Sequence, residues 1–336
     1  MFAYRWVRGE LAEARDAAED FLRVAQDQGN RAAEVVAERV VGAIRAASAE
    51  FALARDHLER TLALYSRQAH SSLAFEYAQD PAVTALAYLS TTLWMLGFPE
   101  QARDKMNDAE RYARELAHPH TLVYLLMCGA SWLQMFLRDS ATTRTHAAES
   151  ISIATEQAFP YWSAYAKIVG GWATAHQDES RAGVAAIAEG VRQYRSTGSA
   201  LFLPMFLWAL ADAQRLAGDA DEGLTAIRDG LAAAEGSGEL WWHAELHRLR
   251  GVLMLESRRD VTKEAEAAFH AAIAIAREQG AKSWELRAAT SLARLWQSQG
   301  KIGEAYDLLA PVYDWFTEGF DTPDLIEANE LLNALK

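Results

Sequence analysis

The sequence contains little cysteine or proline, and it has no long apolar run. Its single cysteine, Cys128, excludes a disulfide framework and fits a reducing compartment. Only seven prolines interrupt the chain, and no alternating run of Val, Ile and Thr predicts a strand, so helix is favoured. No apolar run approaches the roughly 20 residues that span a bilayer. We therefore expect a soluble, cytoplasmic, all-helical protein in which Cys128 is a small buried hydrophobic residue.

Basic residues are scarce relative to acidic ones. Lys and Arg number 33 against 46 Asp and Glu, which gives a formal net charge of −13. A protein that binds nucleic acid over a broad face needs clustered Lys and Arg to neutralise phosphates. The charge therefore argues against a nucleic-acid partner and against adhesion to an anionic membrane.

A short pattern recurs about every 40 residues along the whole chain. A turn residue is followed five places later by a small residue, in most units, and nine places later by a second apolar residue. The turn residues are Gly9, Ala49, Gly97, Asp139, Asp178, Gly218, Asp260 and Gly300. A period in this range is typical of a solenoid, in which each unit buries its apolar face against its neighbours. The sequence thus predicts one repeat domain over residues 1–336, in the form of a curved ribbon held by contacts between neighbouring units.

Each unit reads as two antiparallel helices. In the fifth unit we predict helices over 161–175 and 180–194, and in the sixth over 201–216 and 220–234. The small residue after the turn marks the place where the two helices approach most closely. A final amphipathic segment over 323–335, preceded by Asp321 and Thr322 as candidate caps, predicts a helix that shields the end of the stack.

Three places depart from this pattern. The stretch 66–80 lengthens one interval and predicts an extended loop, after which Asp80 caps the next helix and Pro81 occupies its first turn. In the fourth unit Trp132 and Arg144 stand where small residues are expected, so this unit should be the least regular. The first helix starts at Phe2 without a cap residue, and we expect the chain to be a fragment of a larger multidomain protein.

The turn followed by small and apolar residues resembles the tetratricopeptide pattern in a lengthened form. More specific segments are Glu245–Gly251 (ELHRLRG), Lys282–Trp296 (KSWELRAATSLARLW) and Leu309–Leu325 (LAPVYDWFTEGFDTPDL), with Tyr77–Pro81 (YAQDP) and Trp94–Ala102 (WMLGFPEQA) further upstream. These resemble the C-terminal tetratricopeptide-like repeat region of bacterial class III adenylate/guanylate cyclase–ATPase fusion proteins. The resemblance implies a right-handed α-solenoid of about eight tetratricopeptide-like helical hairpins with a C-terminal capping helix.

The same resemblance implies a regulatory or interaction module whose partners are proteins or upstream cyclase and ATPase domains. No phosphate-binding loop of the Gly-x-x-x-x-Gly-Lys-Ser/Thr type occurs here, and no Gly-x-Ser-x-Gly elbow supports a nucleophile. His243 and His247 share one helix face at a spacing that can bind zinc, but no third ligand accompanies them. We therefore predict no catalytic residues, no metal site and no cofactor.

The concave groove of the solenoid is the predicted binding surface. The helical register places ten residues on that face: Arg39, Trp94, Trp172, Trp208, Asp212, Arg215, Glu245, Arg248, Arg287 and Arg294. The candidate binding residues among them are Trp94, Trp172, Trp208, Arg215, Arg248, Arg287 and Arg294. Guanidinium groups grip carboxylate or phosphate with paired donors, so the arginines suggest an anion site. The alternative is that they form salt bridges with carboxylates three or four residues away, each of little energetic consequence.

Two functions remain in competition on the sequence alone. The first is a protein-interaction module of a bacterial signalling protein, favoured by the solenoid pattern. The second is a small-molecule sensor that binds a metabolite in the groove at Trp172, Trp208, Arg215 and Arg248. The sequence does not identify the partner, the ligand or the output that is controlled.

Overall fold

A computed structural model describes residues 2–257 and 261–336. Within those ranges the secondary structure is helical and contains no strand. None of the described helices is both long enough and apolar enough to cross a membrane. The predicted turn at Asp260 lies outside the described residues.

The helices follow one another as antiparallel pairs. In the first half of the chain they are α1 (Phe2–Val7), α2 (Leu11–Asp27), α3 (Arg31–Ala47), α4 (Phe51–Leu64), α5 (Arg67–His70), α6 (Leu73–Glu76), α7 (Pro81–Met95), α8 (Pro99–Leu116), α9 (Pro119–Leu125), α10 (Ser131–Phe136) and α11 (Ser140–Glu156). In the second half they are α12 (Pro160–Ala175), α13 (Ser180–Ser196), α14 (Leu203–Leu216), α15 (Ala220–Ser237), α16 (His243–Glu256), α17 (Thr262–Glu278), α18 (Lys282–Ser298), α19 (Ile302–Tyr313) and α20 (Pro323–Ala334). We call α1, α3, α7, α9–α10, α12, α14, α16 and α18 the first helices, because each begins a pair.

In every pair whose turn the structure describes, the chain turns on a residue with positive φ. Six predicted turn residues have φ between 62° and 92°, and these are Gly9, Ala49, Gly97, Asp178, Gly218 and Gly300. In the fourth unit the residue with positive φ is Arg138, at 58°, rather than Asp139. Asp139 instead caps α11, where its side chain accepts a hydrogen bond of 2.9 Å from the backbone N–H of Thr142.

The small residues of the repeat allow the two helices of a pair to approach closely. A Cβ atom placed on Gly183 of α13 would lie 2.5 Å from the carbonyl oxygen of Gly171 and 2.7 Å from the backbone nitrogen of Ala175, both on α12. Any larger side chain at Gly183 therefore requires the backbones to separate.

The fourth unit is irregular in a specific way. A π-helical segment, Leu126–Ala130, joins α9 to α10, and the backbone of the buried Cys128 departs from helical geometry there. At Gly129 an added Cβ would lie 2.8 Å from the Cβ of Ala87 on α7. Gly129 thus allows a close approach to α7 of the preceding pair, and Trp132, three residues later, is itself buried.

The stretch between α4 and α7 is not the extended loop that the sequence predicts, since it contains the single turns α5 and α6. Asp80 then caps α7 as predicted and accepts hydrogen bonds of 2.9 and 3.0 Å from the backbone N–H groups of Ala82 and Val83. The hydroxyl of Tyr65 donates to the other Asp80 oxygen at 2.7 Å, which ties both ends of the stretch together.

Contacts between distant repeats close the superhelix on itself. The carbonyl oxygen of Val7 accepts hydrogen bonds from Ala200 and Leu201, and that of Ala47 accepts from Leu240 and Trp241. The hydroxyl of Ser283 donates to the carbonyl of Trp94, which lies 189 residues earlier. Because 189 residues is close to five periods of 40, about five hairpins complete one superhelical turn. The expectation of a ribbon held by neighbour contacts alone is therefore wrong.

Aromatic side chains fill the space between the two superhelical turns. Trp132 packs on Trp241 with ring centroids 4.4 Å apart, and Trp94 packs on Trp284 at 4.8 Å. Burial of such large apolar rings removes water from the centre of the superhelix. The concave side is thus a packed core with a cavity at each end, and it does not form one continuous groove.

The C-terminal helix α20 covers the end of the last pair and also reaches the preceding superhelical turn. Leu325, Ala328 and Leu332 are buried with α18 and α19. The segment before α20 contacts the start of α8, where Glu318 accepts hydrogen bonds from the backbone N–H groups of Glu100 and Gln101. Thr322 is the N-cap residue of α20, although its hydroxyl donates to the Gly319 carbonyl and makes no capping bond.

Glu239 is a fully buried carboxyl group at the junction between the turns. It accepts hydrogen bonds of 2.8 Å from the backbone N–H of Phe202 and from the indole N–H of Trp241. Burial raises the pKa of Glu239 to about 7, against the opposing effect of these two hydrogen bonds.

Because the folded protein holds the proton of Glu239 more tightly than the unfolded chain, stability should fall as the pH rises from about 4.5 to about 7. The loss attributable to Glu239 is at most about 3 kcal/mol. Urea denaturation of Glu239→Gln at several pH values should lack this part of the dependence. The exposed Glu222→Gln is the control and should follow the wild-type profile; identical profiles for all three proteins would contradict the assignment.

Candidate functional site

A cavity of about 820 Å³ lies at the end of the superhelix where α12, α14, α16 and α18 finish. We call it the charged cavity because five arginines and five carboxylates line it. They are Arg138, Arg215, Arg248, Arg287, Arg294, Asp212, Glu245, Glu256, Asp324 and Glu327. Helix α20 closes one side of this cavity with Asp324 and Glu327.

The structure places six of the seven predicted groove residues around the charged cavity. These are Trp172, Trp208, Arg215, Arg248, Arg287 and Arg294. Trp94 lies behind the cavity wall, stacked on Phe136 with ring centroids 4.4 Å apart and with the Arg287 guanidinium 5.1 Å from its ring centre. Trp94 therefore supports the site through Arg287.

The two tryptophans form an almost buried wall. The indole N–H of Trp172 donates to Asp212 at 3.0 Å, and His176 Nε2 lies 2.7 Å from the same carboxylate oxygen. Trp208 lies between Trp172 and Trp242, with ring centroids at 6.4 and 4.4 Å. These contacts hold both indoles at the wall of the cavity. A ligand that entered the cavity would change their surroundings and therefore their fluorescence.

Each predicted arginine has a carboxylate partner. Arg248 contacts both oxygens of Glu245 at 2.7 Å, and Arg215 lies 3.2 Å from Asp212. In each pair the arginine and the carboxylate are three residues apart on one helix. This agrees with the alternative that the arginines form salt bridges with nearby carboxylates. The arginines are thus already engaged, and the lining is balanced in formal charge.

Arg287 makes the most buried of these pairs. Its Nε lies 2.8 Å from both oxygens of Asp324, and its terminal nitrogen donates to the carbonyl of Phe136. Arg138 also donates to Asp324, at 2.7 Å, and to Glu327 at 2.7 Å. This cluster joins the fourth pair to the last pair and to α20, so it links the two superhelical turns.

The carboxylates of the cluster are held in their ionised form. Burial alone would raise the pKa of Asp324, but the charges of Arg287 and Arg138 outweigh it and the pKa lies below its ordinary value. For Asp212, burial is likewise outweighed, by the contacts with His176, Arg215 and Trp172, and the pKa is lowered. Charged carboxylates compete with any anion for the arginines.

Sequence reasoning missed Arg138 and Asp324, and it placed Asp212 on the concave face without selecting it as a binding residue. The separation of three residues between Asp212 and Arg215 was the signal for their pairing. Arg138 and Asp324 are 186 residues apart, in a turn and in the first turn of the capping helix. No local pattern links them, because the superhelical turn alone brings them together.

Chemically, the charged cavity is suited to a ligand that is neutral and polar or that carries both charges. A simple anion would have to displace a carboxylate from each arginine that it contacts. His243 and His247 have ring centroids 5.0 Å apart, and burial lowers the pKa of His247 to about 4. Across residues 2–257 and 261–336, no three His, Cys, Asp or Glu side chains are grouped to hold a metal ion.

The chain is similar to part of a longer protein. No family model matches it. An uncharacterized protein of Rhizobium meliloti (strain 1021) is 28% identical over 244 residues, which are 72% of this chain and 23% of that protein. The chain therefore spans less than a quarter of the length of this relative.

One solved structure supports the fold, and two others have lower similarity. Aspartyl phosphate phosphatase F from Bacillus subtilis is similar with a TM-score of 0.50 and 13% identity, covering 87% of this chain and 73% of that chain. The apo form of RapI has a TM-score of 0.42 and 14% identity, over 99% and 96% of the two chains. A STAND protein with a tetratricopeptide repeat sensor from Pyrococcus horikoshii has a TM-score of 0.46 and 12% identity, over 95% and 48%. The fold is an all-helical, tetratricopeptide-like α-solenoid.

Proposed function

We propose that this chain is a non-catalytic, regulatory repeat module that acts through protein contacts in the cytoplasm. Its parent would be a bacterial signalling protein of the cyclase–ATPase type, in which upstream domains perform the chemistry. The observation that carries the proposal is the closed superhelix of more than one turn, a scaffold built of helical pairs throughout the described residues. The much greater length of the Rhizobium relative supports a role within a larger protein.

The packed interior directs partner contacts to the outside of the superhelix. The second helices of the pairs face outward and carry exposed charged residues, among them Arg111 on α8, Asp229 on α15 and Glu304 on α19. An extended partner segment has no continuous groove to occupy, because aromatic rings fill the space between the turns. The partner would therefore dock on the outer face.

Site-specific crosslinking tests this role. Cys128 is fully buried, so a single cysteine introduced as Arg111→Cys, Asp229→Cys or Glu304→Cys offers one reactive thiol. In the complete protein, a thiol–amine crosslinker should join at least one of these positions to the upstream domains. The complete protein without the introduced cysteine is the control and should give none of these crosslinks, since Cys128 is buried. Crosslinks at none of a full set of outer-face positions would contradict the proposal.

A second candidate function is a small-molecule sensor at the charged cavity. The specific observation in its favour is that Trp172 and Trp208 share the cavity with four of the predicted arginines. The charge balance favours a polar neutral or zwitterionic metabolite. Titration of metabolite pools against tryptophan fluorescence and thermal unfolding should give a saturable change, and a flat response in both measurements would rule this function out.

A further inference from the structure

A second cavity, of about 730 Å³, lies at the opposite end of the superhelix. We call it the apolar cavity because its lining is mainly aromatic and aliphatic and includes no carboxylate. The rings of Phe2, Trp6 and Phe21 form one side, and those of Tyr161, Trp162 and Phe202 form the other. Its volume falls within the roughly 300–1,000 Å³ of ordinary ligand pockets.

Arg39 is the one arginine or lysine in the lining of the apolar cavity. It lies in the middle of α3 and is only 8% exposed. Its Nε is buried without a hydrogen-bond partner, and no residue in the described ranges forms a hydrogen bond or ion pair with the guanidinium. The neighbouring acid on α3, Glu38, is instead engaged with His57 at 2.5 Å.

Such a group is unusual because a buried charge without a partner is strongly destabilising. The titratable groups that act on Arg39 are the hydroxyls of Tyr124 and Tyr88, which are 2.8 Å apart and bonded to each other. The four predicted arginines of the charged cavity have carboxylate partners, whereas Arg39 pairs with no carboxylate among the described residues. Its guanidinium therefore has room for an anion from outside those residues.

We propose that the apolar cavity binds a lipophilic monocarboxylate. The carboxylate would accept paired hydrogen bonds from Arg39, and the apolar body would lie among Trp6, Phe21 and Trp162. One arginine matches one negative charge. A phosphate dianion calls for a second positive charge, and the lining contains no arginine or lysine besides Arg39.

The position of the cavity gives binding a structural consequence. Helix α1 and Phe202 belong to different superhelical turns, and the carbonyl of Val7 already accepts hydrogen bonds from Ala200 and Leu201. A ligand in contact with both elements stabilises the closed superhelix. This inference is independent of the interaction role proposed above, since it concerns a different surface.

The test compares decanoate with 1-decanol, which have the same chain length and differ in charge. Calorimetric titration and thermal unfolding should show saturable binding of one decanoate per chain, with decanol weaker by about tenfold or more. Arg39→Met should weaken decanoate by about tenfold or more and leave decanol unchanged. Arg111→Met, on the exposed face of α8, is the control and should bind decanoate as the wild type does.

We expect Arg39→Met to fold, because methionine removes an unpaired buried charge and keeps much of the side-chain volume. The ligand-free Arg39→Met protein should melt at the wild-type temperature or above it. Equal binding of decanoate and decanol, undiminished binding by Arg39→Met, or no saturable binding of decanoate would each overturn the proposal.

Discussion

Replacement of Asp324 with asparagine should destabilise the protein by about 3–5 kcal/mol, since it leaves Arg287 buried without a counter-charge. Asp324 is 7% exposed and receives hydrogen bonds from both Arg287 and Arg138. Asparagine has nearly the same shape, so lost packing contributes little. Urea denaturation followed by tryptophan fluorescence measures the change.

The matched control for Asp324 is Asp321, three residues earlier in the same segment. Asp321 also contacts an arginine, Arg103, at 2.8 Å, but its side chain is 67% exposed. Asp321→Asn should cost no more than about 1 kcal/mol, because exposed ion pairs are weak. Similar losses for the two variants would show that Asp324 is not a buried electrostatic link.

A double replacement separates charge from packing at this link. Arg287→Met combined with Asp324→Leu removes the buried pair and supplies apolar volume. Most of the stability lost in Asp324→Asn should return, because a well-packed apolar pair can match a buried ion pair. A double variant no more stable than Asp324→Asn would assign the loss to something other than the unpaired charge.

Gly183→Leu should destabilise the protein by more than about 3 kcal/mol, above the roughly 1–3 kcal/mol of ordinary overpacking. The atoms nearest to an added Cβ at Gly183 are backbone atoms of Gly171 and Ala175, which cannot move as a side chain does. The helices α12 and α13 would have to separate. Thermal and urea unfolding measure the effect.

Gly303 provides the contrast to Gly183. It lies near the start of α19, where no atom is within 4 Å of an added Cβ. Gly303→Leu should be neutral or stabilising by up to about 1 kcal/mol, because leucine has the higher helix propensity. A loss at Gly303 comparable to that at Gly183 would show that close packing is not the reason for the small residue in the repeat.

Much of each helical pair could be predicted from local sequence. The predicted helices at 161–175 and 180–194 correspond to α12 and α13, which are longer by one residue and two residues. Asp80 caps α7 as predicted, because the cap bonds only the following turn. Phe202 was placed inside a helix, but its φ of 64° puts it before α14, where its N–H donates to Glu239. Glu239 lies 37 residues further along the chain, so no local sequence pattern predicts this contact.

Part of the candidate sites could likewise be predicted from the sequence, and part could not. Helical register placed Trp172, Trp208, Arg215, Arg248, Arg287 and Arg294 on one face, and the structure finds them around one cavity. Helical register did not reveal that Asp324 pairs with Arg287. It also did not reveal that Arg39 faces an apolar cavity without a partner among the described residues. Both depend on elements of the other superhelical turn.

The sequence by itself determined the helices, their pairing and the period of the repeat, because caps, turns and small residues act over fewer than about ten residues. Only the tertiary structure decided that the array closes after about five pairs. The small rotation between successive pairs accumulates over the chain until Arg138 meets Asp324 and Val7 meets Leu201. No single repeat of the sequence encodes this accumulated rotation. The closure that the rotation produces divides the groove into two separate cavities.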